Sequence, residues 1–92
     1  MSIQTIGIIG CGLMGSGIVE VCARSGCNVL VGEMDPDLLK AGLARVRKSI
    51  ERGASRGKIS PEEAEAALSR IHGVNSLQEF AAADLVIEAI TE

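Results

Sequence analysis

Gly10, Gly12, Gly15 and Gly17 follow directly on the apolar run at residues 6–9, and Glu33 stands eighteen residues beyond Gly15. Glycines at this spacing suit one kind of chemistry. They let main-chain N–H groups and the positive end of a helix close on a pyrophosphate with no side chain in the way. Gly10 permits the tight turn, Gly12 the close approach and Gly15 the packing of helix against strand, while Glu33 can accept hydrogen bonds from a ribose diol. The loop lies between a strand signal over residues 3–9 and a helical run over 13–25, and a second strand signal over 28–33 ends in the acid. A dinucleotide site needs that context, and a merely structural glycine turn does not supply it.

The other reactive side chains form weaker patterns. Cys11, Cys22 and Cys27 are odd in number and lack a paired ligand spacing, so neither a disulfide framework nor a zinc site is indicated and three reduced thiols are expected. Cys11 alone sits near a helix start, where a thiol pKa falls. His72 is the only histidine. It enters the third strand signal at the end of the sheet remote from ligands, which suits a surface residue better than a catalytic base. Between Lys40 and Lys58 the chain carries seven bases against the single acid Glu51, with Arg45, Lys48, Arg52 and Arg56 on one stripe. Such a face is either solvated or matched to a phosphate-rich ligand.

These residues must be positioned by an alternation of strands and helices. Residues 3–9, 13–25 and 28–33 read as one βαβ unit, with Gly26 closing the helix and the second strand parallel to the first. Asp35 and Pro36 open a helix as N-cap and first residue, and Leu39, Leu43, Val46 and Ile50 give it one apolar face as far as about Gly53. Ser60-Pro61-Glu62-Glu63 is a capping box opening a second helix to Arg70 or Ile71, with Ala64, Ala67, Leu68 and Ile71 inward, so residues 36–71 form a helical hairpin. His72 to Val74 is a third strand, Ser76 to Glu79 a second capping box opening a short helix through Phe80 and Ala83, and residues 85–90 a fourth strand. The expected fold is α/β: a Rossmann-type parallel sheet of about four strands, truncated, with a helical hairpin inserted after the second.

Composition narrows the partners. The chain has 92 residues, a net charge of −3 and Phe80 as its only aromatic, so nucleic acid would find neither phosphate neutralisation nor a stacking platform. No apolar stretch is long enough for a membrane span, and the cytoplasm is the expected compartment.

Gly10-Cys11-Gly12-Leu13-Met14-Gly15-Ser16-Gly17-Ile18 resembles the nucleotide loop of the 3-hydroxyacyl-CoA dehydrogenase family, G-x-G-x-M-G-x-G-I, and Val86-Ile87-Glu88-Ala89-Ile90-Thr91-Glu92 resembles that family's V-x-E-A-x-x-E ending of the fourth strand. The resemblance covers essentially the whole chain. It implies oxidation of L-3-hydroxyacyl-CoA by NAD or the reverse reduction of 3-oxoacyl-CoA, as part of fatty acid metabolism, with acyl-CoA as substrate. It assigns Gly10, Gly12, Leu13, Met14 and Gly15 to the pyrophosphate, Glu33 to the ribose, Ala89 and Glu92 to the neighbourhood of the nicotinamide ribose, and Ser49 and Arg56 to coenzyme A. Glu33 replaces the family's usual aspartate and Arg56 a lysine. The carboxylates of Glu33 and Asp35 would repel a 2′-phosphate, which favours NAD over NADP.

The resemblance also places the family's catalytic histidine and glutamate beyond the matched segment. No catalytic residue is therefore expected within residues 1–92, which read as an incomplete NAD-binding domain lacking a C-terminal substrate and dimerisation domain. An open apolar edge at the fourth strand implies a homo-oligomer. The alternatives are a 3-hydroxyisobutyrate or 6-phosphogluconate type dehydrogenase, whose loop lacks the Gly17-Ile18 continuation, and a non-catalytic nucleotide-binding module.

Overall fold

Alternation of apolar strand and amphipathic helix leaves the chain one economical arrangement, a parallel sheet with helices packed on it. The computed structural model describes residues 3–10 and 12–89, so Cys11 and the expected contacts at residues 90–92, Glu92 among them, lie outside the described residues. Its elements are β1 (Thr5–Ile9), α1 (Leu13–Arg24), β2 (Asn28–Gly32), α2 (Pro36–Ser55), α3 (Pro61–Ser69), β3 (Ile71–Val74), a 3-10 helix (Leu77–Ala82) and β4 (Leu85–Glu88). The strands are ordered β3-β2-β1-β4, and every pairing is parallel.

Register divides the sheet into two unlike faces. Ile6 and Ile8 lie level with Val29 and Val31, and these four buried side chains meet Val19 and Ala23 of α1, Val46 and Ile50 of α2, and Ala64 and Ala67 of α3. Fully burying such a side chain contributes on the order of 1.5–3 kcal/mol, so this layer is the core. The opposite face carries Gly7 and Gly32, and into that notch the 3-10 helix inserts Phe80, whose ring occupies the space a Cβ would need at either glycine.

Both capping boxes form as the sequence predicts: Ser60 accepts from Glu63 N at 3.1 Å while Glu63 accepts from Ser60 N at 3.0 Å, and Ser76 and Glu79 form the second. Asp35 caps α2 by accepting from Asp37 N at 2.8 Å. Boundaries differ from the sequence reading: α1, β2 and β4 end at Arg24, Gly32 and Glu88, earlier than the expected residues 25, 33 and 90, and four other differences have local causes. β1 starts at Thr5 rather than Ile3, because the amides of Gln4 and Thr5 both donate to the Asp84 carboxylate at 2.9 Å. α2 runs past Gly53 to Ser55, since the residue that supplies the left-handed turn is Gly57 at φ 75°. Ile71 belongs to β3, level with Val29, and not to the apolar face of α3. The short helix after Ser76 is a 3-10 helix ending at Ala82.

Candidate dinucleotide-binding site

The strand order itself marks where a ligand can enter. From β1 the chain moves one way to β2 and β3, then crosses to the other side of β1 to form β4, so the carboxyl ends of β1 and β4 flank a crevice at the reversal. Gly10 makes the turn out of β1 at φ 105°, and its amide donates to the Gly32 carbonyl at 2.9 Å, which ties the loop to the end of β2. Gly12 is the N-cap of α1, extended at φ −72° and ψ −162°, with no side-chain cap and no acid in the first turn. The positive helix end is left without an anionic side chain of its own, which is what a bound phosphate requires.

Gly15 is fixed by contact. A Cβ there would overlap the Gly10 carbonyl, and the Ala89 methyl would be 3.6 Å away. Ala89 is buried, and its amide donates to the Ile9 carbonyl at 2.8 Å. The structure thus brings Gly10, Gly12, Gly15 and Ala89 together at the crevice. Leu13 and Met14 are the first residues of α1, and the Met14 side chain is exposed.

Glu33 follows the last residue of β2 and lines a cleft of ≈ 300 Å³ with Gly32, Met34, Val74, Asn75 and Ser76. Its carboxylate accepts from the Met34 amide at 3.0 Å. The cleft wall at Val74 to Ser76 is absent from the sequence reading. Its signal was available in the strand order, because the end of β3 must lie beside the end of β2. Two other hollows, one beside the C-terminus of α1 and one along the α2–α3 groove, lie away from this edge. Volume therefore does not locate the site, whereas main-chain geometry does.

Ser49 is half-buried on α2, and Arg56 is the exposed C-cap residue seven positions on, about 10 Å further along the axis. A different residue of α2 meets the helix that opens from the glycine loop. Arg45, one turn before Ser49 on the same stripe, makes that contact: its guanidinium donates to the buried Ser16 hydroxyl in α1 at 3.2 Å. This link spans 29 residues and no local pattern announces it. His72 is exposed in the middle of β3, with β2 and β1 between it and β4. Among the described residues no group of three or more His, Cys, Asp or Glu could hold a metal ion, and no helix is long and apolar enough to cross a membrane.

Comparison with known proteins agrees with this geometry. The family model described as 3-hydroxyacyl-CoA dehydrogenase, NAD binding domain, matches residues 5–92. A 3-hydroxybutyryl-CoA dehydrogenase of Mycobacterium tuberculosis is 43% identical over 91 residues, covering 99% of this chain and 32% of its own length. The crystal structure of 3-hydroxybutyryl-CoA dehydrogenase from Escherichia coli superposes with a TM-score of 0.95 at 37% identity, over 100% of this chain and 20% of that one. That of (S)-3-hydroxybutyryl-CoA dehydrogenase from Ralstonia eutropha does so with a TM-score of 0.92 at 40% identity, over 99% and 32%. The chain spans about a third of the length of the curated relatives it matches first. Because the match begins at Thr5 and runs through every element that builds the crevice, the chain belongs to the 3-hydroxyacyl-CoA dehydrogenase NAD-binding domain family, and its cofactor is NAD.

Proposed function

We propose that this chain supplies the cofactor-holding part of an enzyme that interconverts L-3-hydroxyacyl-CoA and 3-oxoacyl-CoA. The observation that carries the reading is the meeting of Gly10, Gly15 and Ala89 below an uncapped helix start at the topological reversal. Bound NAD supplies the hydride acceptor. The chain's own residues hold it in place: the loop from Gly10 to Gly15, with Leu13 and Met14, presents main-chain amides to the pyrophosphate. Glu33 accepts from the ribose hydroxyls, with the Asp35 carboxylate close by adding to the repulsion of a 2′-phosphate. Ala89 and Glu92 border the nicotinamide ribose.

The acyl-CoA substrate is held through Ser49 and Arg56, where the basic stripe of α2 faces its phosphates. The proton released from the hydroxyl is taken by a residue outside these 92, since His72 stands on the far edge strand. Residues 1–92 on this reading form an incomplete NAD-binding domain completed by a C-terminal substrate and dimerisation domain. Self-association belongs to the same proposal, supported by Leu85 and Val86 standing 44% and 43% exposed on edge strand β4. Light scattering at high concentration would contradict it by showing a strict monomer. Cytoplasmic residence is proposed on the bacterial origin of the relatives named above.

Calorimetric titration tests the cofactor role, with NAD heat well above NADP heat as the expected result and no heat from millimolar NAD as the result that removes the reading. A longer form that reduces NAD with 3-hydroxybutyryl-CoA supports the enzyme. One that binds NAD yet reduces it with no 3-hydroxyacyl-CoA makes the domain a binding module.

A further inference from the structure

The far end of α1 carries a second pattern that cofactor binding does not use. The helix closes through two main-chain bonds, Gly26 N to Ala23 O at 3.2 Å and Cys27 N to Cys22 O at 3.1 Å, with Gly26 left-handed at φ 100°. This pairing is the Schellman closure, which is frequently accompanied by a side-chain contact between the residue after the glycine and the residue five before it. Both positions here are cysteine.

We propose that Cys22 and Cys27 form a dithiol–disulfide pair, a site of reversible oxidation by low-molecular-weight disulfides such as oxidised glutathione. Distance permits the bond. With a 3.1 Å hydrogen bond between the two residues' own main-chain groups, and the trigonal carbonyl holding the Cys22 Cα about 2.4 Å from its oxygen, standard geometry keeps the Cα separation below about 7 Å. The further bends at the oxygen and at the amide shorten it toward the span that disulfides bridge. Both side chains also pack against the same buried cluster, on the inner side of the turn. Both thiols are free and half-buried. The Cys22 thiol is pushed above its ordinary pKa by burial and then by the charge of Cys27.

The chemistry balances as two exchanges. The Cys27 sulfur, deprotonated, attacks one sulfur of the glutathione disulfide; its S–S bond breaks and one glutathione thiolate leaves and takes up a proton. The Cys22 sulfur, losing its proton in turn, attacks the Cys27 sulfur of the mixed disulfide and expels the second glutathione. The protein dithiol is oxidised by two electrons and the glutathione disulfide is reduced to two thiols. Cys27 would lose the S–H that now donates to the Ile3 carbonyl at 3.7 Å, while the Asp84 bonds to Gln4 and Thr5 keep the start of β1 in place.

The test equilibrates the folded protein with defined mixtures of reduced and oxidised glutathione, quenches with acid, and alkylates with N-ethylmaleimide. Cleavage after Glu20 and Glu33 releases peptide 21–33, which contains Cys22 and Cys27 but not Cys11. The expected peptide is lighter by two hydrogens and unlabelled, with an effective thiol concentration at least about tenfold higher in the folded protein than in concentrated urea. Three results would overturn the proposal: equal effective concentrations in the two states, labelling of both thiols in every mixture, or a product that stops at a glutathione adduct or pairs either cysteine with Cys11.

Discussion

Two glycines in the first turns of α1 have opposite reasons to be there. A Cβ at Gly15 would overlap the Gly10 carbonyl, a main-chain atom that cannot swing aside, whereas a Cβ at Gly17 would meet nothing within 4 Å. Gly15→Ala should therefore lower stability by about 2–4 kcal/mol in urea unfolding and abolish the calorimetric NAD signal, because helix and loop must part. Gly17→Ala should raise stability by about 0.5–1 kcal/mol through helix propensity and chain entropy, with NAD affinity retained. The roles of Gly10, Gly15 and Gly26 were legible in the sequence because each answers a local demand of turn or close packing. Ser16 with Arg45 was not, nor was Phe80 with Gly7 and Gly32. Those contacts join residues far apart in the chain, and residue type does not encode such distances.

At the scale of elements, the helix starts were the most readable feature, since Asp35, Ser60 and Ser76 satisfy the first amides of their own segments. Ends were harder: Gly53 looked like a stop, yet an interior glycine costs a helix only about 1 kcal/mol and Gly57 provides the turn. Asp84 shows a cap working between elements rather than within one. Its carboxylate accepts from the amides of Gln4 and Thr5, and those bonds hold its pKa below the usual carboxylate range. The folded chain thus binds this proton less tightly than the unfolded chain does. Its stabilising effect is complete at neutral pH, begins to fade as pH falls into the ordinary carboxylate range, and is gone once pH drops below the folded-state value. Asp84→Asn should lower the urea midpoint at neutral pH and flatten its dependence on acid. An unchanged acid slope would assign that dependence to other carboxyls, such as Glu63 in its capping box.

Across the whole molecule, charge is segregated. The chain is acidic overall at −3, yet seven of its nine bases lie between Lys40 and Lys58. For the proposed coenzyme A contact, affinity measured by calorimetry should fall steeply as salt is raised, and Arg56→Gln should weaken binding about threefold to tenfold at low salt with a shallower salt dependence. NAD affinity should stay unchanged in the same variant. The parallel laying of β2 with β1 was also legible, because right-handed crossovers leave few ways to join such strands, whereas the order of all four strands was not read from the sequence. What could not be foreseen was how the last of them is held. Phe80 rests in a notch that comes into being only when β1 and β2 lie side by side, so the crossover segment has nowhere to lodge until that pair has formed. Folding should then proceed in a fixed order, with β4 arriving late and the cofactor crevice completed last. Kinetic φ-values near zero for Phe80→Leu, against substantial ones for Val29→Ala, are the expected record of that sequence of events.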